Sequence, residues 1–388
     1  MSRYARRVAS AGDLDPSFAG DGRKAIDFGG TDAARAVLLQ PDGRIVVAGG
    51  GAAGNSFCVA RLRSNGALDP TFGAGGKRVI DFGGDNESAF GAALQPDRKI
   101  VLVGGSVTRA AVARLKPNGS LDTKFSGDGK KLFNWRPFDF SSVQAVLVPP
   151  SGKILLAGFS GPEGGDIQVG RLNANGALDP TFGVGGKAGV DFGGTEFGLA
   201  MARQPDGRIL VAGESEAAGA VVARLRANGA LDPEFDGDGR VALPGGGTVR
   251  TVLVQPDGRI VVAGNASGND VMTVTRLTPN GAPDTTFAAA GTAEIDFGSL
   301  DDFANGAVLQ PDGKIVVAGS TQADEDVAVA RLDANGSPDA TFGVAGKATV
   351  DFGVATFGNA VARQANGRIV VAGQRTGGDD FAVARLLG

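Results

Sequence analysis

The sequence predicts an all-β protein, a seven-bladed β-propeller of four-stranded antiparallel blades. Three observations predict it: one motif set repeated seven times, short strand patterns between tight turns, and an offset between the chain ends and the repeat. The first marker, LDxxF or PDxxF, ends at Phe18, Phe72, Phe125, Phe182, Phe235, Phe287 and Phe342. The second, Arg-Leu closing an apolar run, falls at Arg61, Arg114, Arg171, Arg224, Arg276, Arg331 and Arg385. The third is the turn QPDGRI at 40–45, with relatives at 95–100, 149–154, 204–209, 255–260, 310–315 and 364–369. Glycine contributes 64 of 388 residues and recurs at turn positions in every copy, which marks tight turns between short strands.

Each copy reads as four strands. Residues 35–40 (RAVLLQ) form the first, and the Pro-Asp-Gly turn folds the chain back. The second, IVVAG at 45–49, is apolar throughout, so both its faces are expected to be buried. FCVARL at 57–62 is the third. After an Asn-Gly turn and LDPTFG, KRVIDFG at 77–83 is the more polar fourth strand, suited to an outer edge. No amphipathic helix interrupts this order, so βαβ folds are out. A sheet apolar on both faces needs neighbours on both sides, and radial repetition supplies them.

The chain ends predict closure. GRKAIDFG at 22–29 is a fourth strand with no first three before it, and residues 380–388 end after a third strand with no fourth. The blades are therefore expected at about 33–84, 85–135, 136–193, 194–244, 245–298, 299–353, and 354–388 completed by 22–29, in one domain. Tyr4 to Gly12 is left over and is expected to be frayed or to lie on the surface.

The repeat, approximately LDPTFG-x-GK-xx-DFGG…QPDGRIVVAG…VARLxxNG, resembles the bacterial delta-60 repeat family over essentially the whole chain. It lacks the Trp-Asp and Gly-His pairs of WD40 repeats and the double-glycine, Tyr and Trp pattern of kelch repeats. The resemblance implies a propeller, often in large exported bacterial proteins, and no assigned chemistry. Fold alone does not supply function.

Composition narrows the chemistry. Histidine is absent, which excludes Ser-His-Asp hydrolysis and histidine general base catalysis. The single cysteine, Cys58, rules out an internal disulfide and lies in an apolar strand, where it is expected to act as a small buried hydrophobe. A net charge of −4 argues against a nucleic-acid partner. No apolar run is long enough for membrane insertion. The first residues, MSRYARRVASAGDLDP, lack the apolar centre of a signal peptide. No cofactor, metal site or catalytic set is predicted, and the chain is expected to be a monomer. The GDG and DGDG strings lack the spaced carboxylates of a calcium loop and read as turns. GGGAAG at 49–54 lacks the ending and the helix of a phosphate loop.

Four features remain as candidates. The recurrent arginines and the LDxxF aspartates are expected to pair at each blade corner rather than to form a ring site. The loops of one face hold seventeen acids and five bases, which points to a basic protein, peptide, cation or glycan partner. The densest group is Asp301, Asp302, Asp324, Glu325, Asp326, Asp379 and Asp380. Trp135, Arg136 and Phe138 interrupt the glycine-rich links and are read either as a binding loop or as a core plug. Arg35, Gln144, Arg250, Asn305 and Asn359, with Phe90 and Leu199, begin the first strands and are expected at the mouth of the central channel. The expected function is a non-enzymatic binding scaffold. The alternatives are a hydrolase or lyase with metal-binding carboxylates on the loop face, and a purely structural cell-surface module.

Overall fold

The computed structural model describes residues 9–52, 55–137, 139–161, 165–268, 271–298, 302–321, 326–376 and 379–388. Among them, 28 strands form seven four-stranded antiparallel sheets arranged as seven blades. In the first blade the strands are Ala33–Leu39, Ile45–Gly51, Ser56–Leu62 and Lys77–Ile80, paired in that order. The second and third are buried along their whole length, as their unbroken apolar runs require. The first strands of neighbouring blades touch around the axis, Ala33–Leu39 lying between Ser88–Leu94 and Thr356–Arg363.

The hydrophobic core is distributed between blades. One cluster joins Val46, Phe57, Phe72 and Ile80 of the first blade to Ile100, Leu102, Ala111 and Leu115 of the second. The equivalent cluster at the junction of last and first blades holds Phe18, Ile26, Val370 and Phe381 against Ile45, Val47, Cys58 and Leu62. Cys58 is fully buried, and burial pushes its thiol up to about 12. It packs as a hydrophobe.

Every corner has the same polar construction. The Arg-Leu arginine donates from Nε to the LDxxF aspartate, as in Arg61 to Asp69 at 2.9 Å and Arg385 to Asp15 at 2.8 Å, and the pair forms in all seven blades. Its guanidinium lies over the ring of the same segment's phenylalanine, with Arg61 4.8 Å from the Phe72 centroid. The same group reaches the next blade, where Arg276 Nη1 donates to the Ala334 carbonyl at 2.7 Å. A second cation from the Pro-Asp-Gly turn joins the aspartate, as Arg44 does Asp69 at 2.8 Å. These arginines pin blades together and are not free to form a ring site.

Closure occurs as the chain ends predict. Arg23–Ile26 pairs with Asp380–Leu386 in the register Arg23↔Ala384 to Ile26↔Phe381. Tyr4–Gly12 is expected to be frayed or to lie on the surface; of its described part, which begins at Ala9, Ala9 and Ser10 are exposed, while Ala11 and Gly12 are tied into the last blade. In the first blade the turn at Asn65-Gly66 is closed by Gly66 N–H to Arg63 O (2.9 Å), and Asn65 O accepts from Ala19 of the preceding blade (2.8 Å). The last blade runs out of chain at that turn. Ala11-Gly12 fills the vacancy, with Gly12 N–H to Leu387 O at 2.9 Å and Ala11 O accepting from Gly343 at 2.8 Å. Gly12 has φ of +92° and a Cβ there would lie 2.7 Å from Gly343 N, so only glycine serves.

Candidate functional site

The axial channel opens into a cavity of about 350 Å³ on the side where the first strands begin. Each first strand contains a β-bulge, between Ala34 and Ala36 in the first blade and at the equivalent place in the other six. The extra residue is Arg35, Phe90, Gln144, Leu199, Arg250, Asn305 or Asn359. All seven line the cavity, below which Val37, Val146, Met201 and Val361 are apolar. A bulge places one residue outside the regular alternation and re-aims its side chain. The predicted channel-mouth residues are thus brought together by a device that sequence alternation does not show.

The ring is not symmetric. Arg250, Asn305, Asn359 and Arg35 occupy consecutive blades and form a polar arc, while Phe90 and Leu199 flank Gln144 on the other side. Two amides are tied to the neighbouring blade, Asn305 Nδ2 donating to Gly358 O (2.8 Å) and Asn359 Nδ2 to Ala34 O (2.9 Å). Gln144 Nε2 donates to Ser142 Oγ at 2.9 Å. Arg35 lies 5.3 Å from the Phe90 ring centroid. Its side chain is accessible from the channel yet enclosed by the walls, and this burial, together with the charge of Arg250, lowers its pKa.

The acidic loop face is less of a field than its residue count implies. Asp302 is fully buried and accepts the Phe297 N–H at 2.6 Å, so its place in the candidate ligand face is corrected. Asp32 and Glu87 do the same work, capping Phe28 with Ala52 and Phe82 with Gly84. Glu196, buried likewise, accepts from Ser215 Oγ at 3.1 Å. Asp380 pairs with Arg375 at 3.0 Å, and Asp326 and Asp379 are half-buried. Asp301, Asp324 and Glu325 lie outside the described residues.

Of the aromatic loop, Trp135 plugs the core. Trp135 is 3% exposed, meets Phe133 edge-on at 4.9 Å, and donates from Nε1 to Ser142 O at 2.8 Å. Arg136 is exposed and pairs with Asp166, and Phe138 lies outside the described residues. The indole fits because Gly170 stands where the first, second and last blades have Ala60, Ala113 and Ala384. A Cβ on Gly170 would sit 2.7 Å from the ring. Gly170→Ala is expected to cost about 1–3 kcal/mol by overpacking, measured by denaturant unfolding, while adding no penalty on a Trp135→Ala background. Exposed aromatics do occur on this face, at Phe140 (38% exposed), which stacks on Phe159 at 6.0 Å, and at Phe303.

Among the described residues, two carboxylate triplets also occupy equivalent positions on the loop face, Asp27 with Asp32 and Asp380, and Asp166 with Asp191 and Glu196, their oxygens within 4.8 Å of one another. Burial raises the pKa of Asp32, Asp166 and Glu196.

These features define a seven-bladed β-propeller repeat protein with a cavity at one mouth of its axis. The chain belongs to the family described as domain of unknown function (DUF5122) beta-propeller, which matches residues 40–72, 95–125, 150–182, 204–235, 255–287, 310–342 and 364–388. No curated protein matches it. Among solved structures it is similar to a streptogramin B lyase (11% identity, 94% of this chain and 97% of that one, TM-score 0.60). It is also similar to a catalytically inactive histidine-to-alanine variant of virginiamycin B lyase from Staphylococcus aureus with quinupristin (10%, 94% and 99%, TM-score 0.61). A third is YCF48 bound to D1 peptide (10%, 98% and 98%, TM-score 0.55). At these identities the likeness is one of fold.

Proposed function

We propose that this protein is a non-enzymatic binding module that holds its ligand in the mouth of the axial channel. One observation carries the reading. Seven bulges aim seven side chains of differing chemistry into one cavity, in a molecule whose corners, turns and core otherwise repeat. The cavity volume is within the range of small-molecule sites. The similar propellers include both lyases and a peptide-binding protein, so fold leaves this choice open. The lyase variant named above loses catalysis with a histidine, and this chain has none. The likeness to delta-60 repeats supports a place outside the cell.

The test is a small-molecule screen by thermal shift, repeated on Gln144→Trp, which fills the mouth from a half-buried position. Ligands that stabilise the parent are expected to lose their effect on this variant while its circular dichroism is unchanged. Ligands that keep their effect with the mouth filled would overturn the reading.

The carboxylate triplets support a metal-dependent hydrolase as the second reading. Against it, Asp32 already spends both oxygens on backbone N–H groups, and Arg136 and Arg375 stand beside Asp166 and Asp380. Calorimetric titration with Mn²⁺ or Ca²⁺ is expected to give no saturable heat. Saturable binding abolished by Asp166→Asn would move the chemistry to the loop face.

A further inference from the structure

We propose that the channel mouth selects a small organic anion with a flat apolar body, its charge held between Arg35 and Arg250. The proposal rests on the binding-module reading and names the ligand class. The two arginines are the only ionisable residues lining the cavity among those described, and no carboxylate lines it with them. Neither is in an ion pair among the described residues, unlike the seven corner arginines, each of which has an aspartate. Both are exposed at the open mouth, and two like charges there line one cavity with no carboxylate among its described lining residues. An anion placed there relieves the repulsion between them and gains charge-assisted hydrogen bonds from the guanidinium donors. A cation gains nothing and adds to the repulsion.

The shape of the ring supplies the rest. The arginines are separated on one side by Asn305 and Asn359, whose amide N–H groups are held by neighbouring carbonyls, so the amides have fixed positions. Opposite them, Phe90 and Leu199 present apolar surface to the same cavity. A carboxylate or phosphate alone uses the first arc only. A molecule with an anionic end and an aromatic body uses both, and its ring meets Phe90, over which Arg35 already lies. None of the described loop acids lines the cavity, and four of them, Asp32, Glu87, Glu196 and Asp302, are turned away from it onto local hydrogen-bond donors.

The probes are 1-naphthoate, the neutral 1-naphthamide, the cationic 1-naphthylmethylammonium and inorganic phosphate, titrated by calorimetry into the whole chain. Naphthoate is expected to bind about tenfold or more tightly than naphthamide or phosphate, the ammonium least, and affinity should fall as salt rises. Arg35→Gln and Arg250→Gln are each expected to weaken naphthoate by about tenfold with little change in melting temperature, since, among the described residues, neither arginine is in an ion pair and Arg35 meets the next blade only over the cavity-lining ring of Phe90. Naphthamide or the ammonium binding best, and losing affinity in Gln144→Trp, would overturn the anion preference and leave the binding site standing. Phosphate matching naphthoate would overturn the role of the apolar arc. Naphthoate binding that ignores all three substitutions, or no binding by any probe, would overturn the proposal itself.

Discussion

A chain that begins at residue 31 is expected not to fold, and to lose far more stability than one that begins at residue 9. Residues 9–30 carry the fourth strand of the last blade, the fully buried Phe18, and Asp15, which pairs with Arg385. Losing a buried phenylalanine costs about 3–5 kcal/mol. Leaving a buried arginine without its carboxylate costs about as much again. Exposed strand edges on the last blade add to this, and such a total is comparable to the stability of a typical domain, about 5–15 kcal/mol. Truncation alone does not separate contacts from chain order. A permuted chain does, because Gly388 corresponds to Ser64 of the first blade and Ala11 to Asn65. Joining Gly388 directly to Ala11, with new ends at the exposed Thr31 and Gly30, rebuilds the turn as one continuous segment. This permutant is expected to fold with stability within about 1–2 kcal/mol of the parent, since only loop closure changes. A truncated chain as stable as the parent, or a permutant that fails to fold, would show that closure does not hold the ring.

Much of this architecture is legible in the sequence because seven copies vote on each feature. The blade count, the closing strand and the Arg–Asp corner each follow from motifs present in every copy. Features that occur once, or that need partner geometry, are harder to read. Trp135 occurs in one blade, and the signal that it is buried is the glycine at 170 in place of alanine, visible only when the copies are aligned on the Arg-Leu marker. The buried carboxylates read as surface charge because loops are ordinarily solvated. Their signal is an acid four or five residues after the aspartate-adjacent phenylalanine, as Asp32 follows Phe28 and Asp302 follows Phe297. That spacing lets the side chain fold back onto the phenylalanine N–H. The ring residues were legible as strand starts, but the bulges were not. A bulge depends on two residues facing one across a strand pair, and a single strand's pattern does not record it.

The corner makes the largest single-residue prediction, and acid the sharpest condition for it. Asp69 is 1% exposed and faces Arg61 on one side and Arg44 on the other. Burial raises its pKa, but the hydrogen bonds from Thr71 and the two guanidinium charges outweigh that and hold it at about 2, against an ordinary 3.8. Asp284 is held at about 2 as well, chiefly by Thr286, and the other five corner aspartates are also lowered. With a depressed folded pKa the unfolded chain binds more protons in this window, so stability rises with pH there. The contribution is complete above the unfolded value near 4 and lost as pH falls toward 2, on the order of 2 kcal/mol for Asp69. Asp69→Ala at pH 7 leaves the Arg61 guanidinium, 7% exposed, without its carboxylate and is expected to cost about 3–5 kcal/mol. Arg61→Met should cost less, because Asp69 keeps Arg44 and the Thr71 bonds. In a double-mutant cycle the two changes should be strongly non-additive. Unfolding curves from pH 7 to 2 should then show the parent losing stability steeply below pH 4, and Asp69→Ala losing less of it, because that proton uptake is gone. Parallel curves for the two proteins, or additive costs in the cycle, would mean that the corner pair is packing with charges attached and that the blades are held by their apolar faces alone.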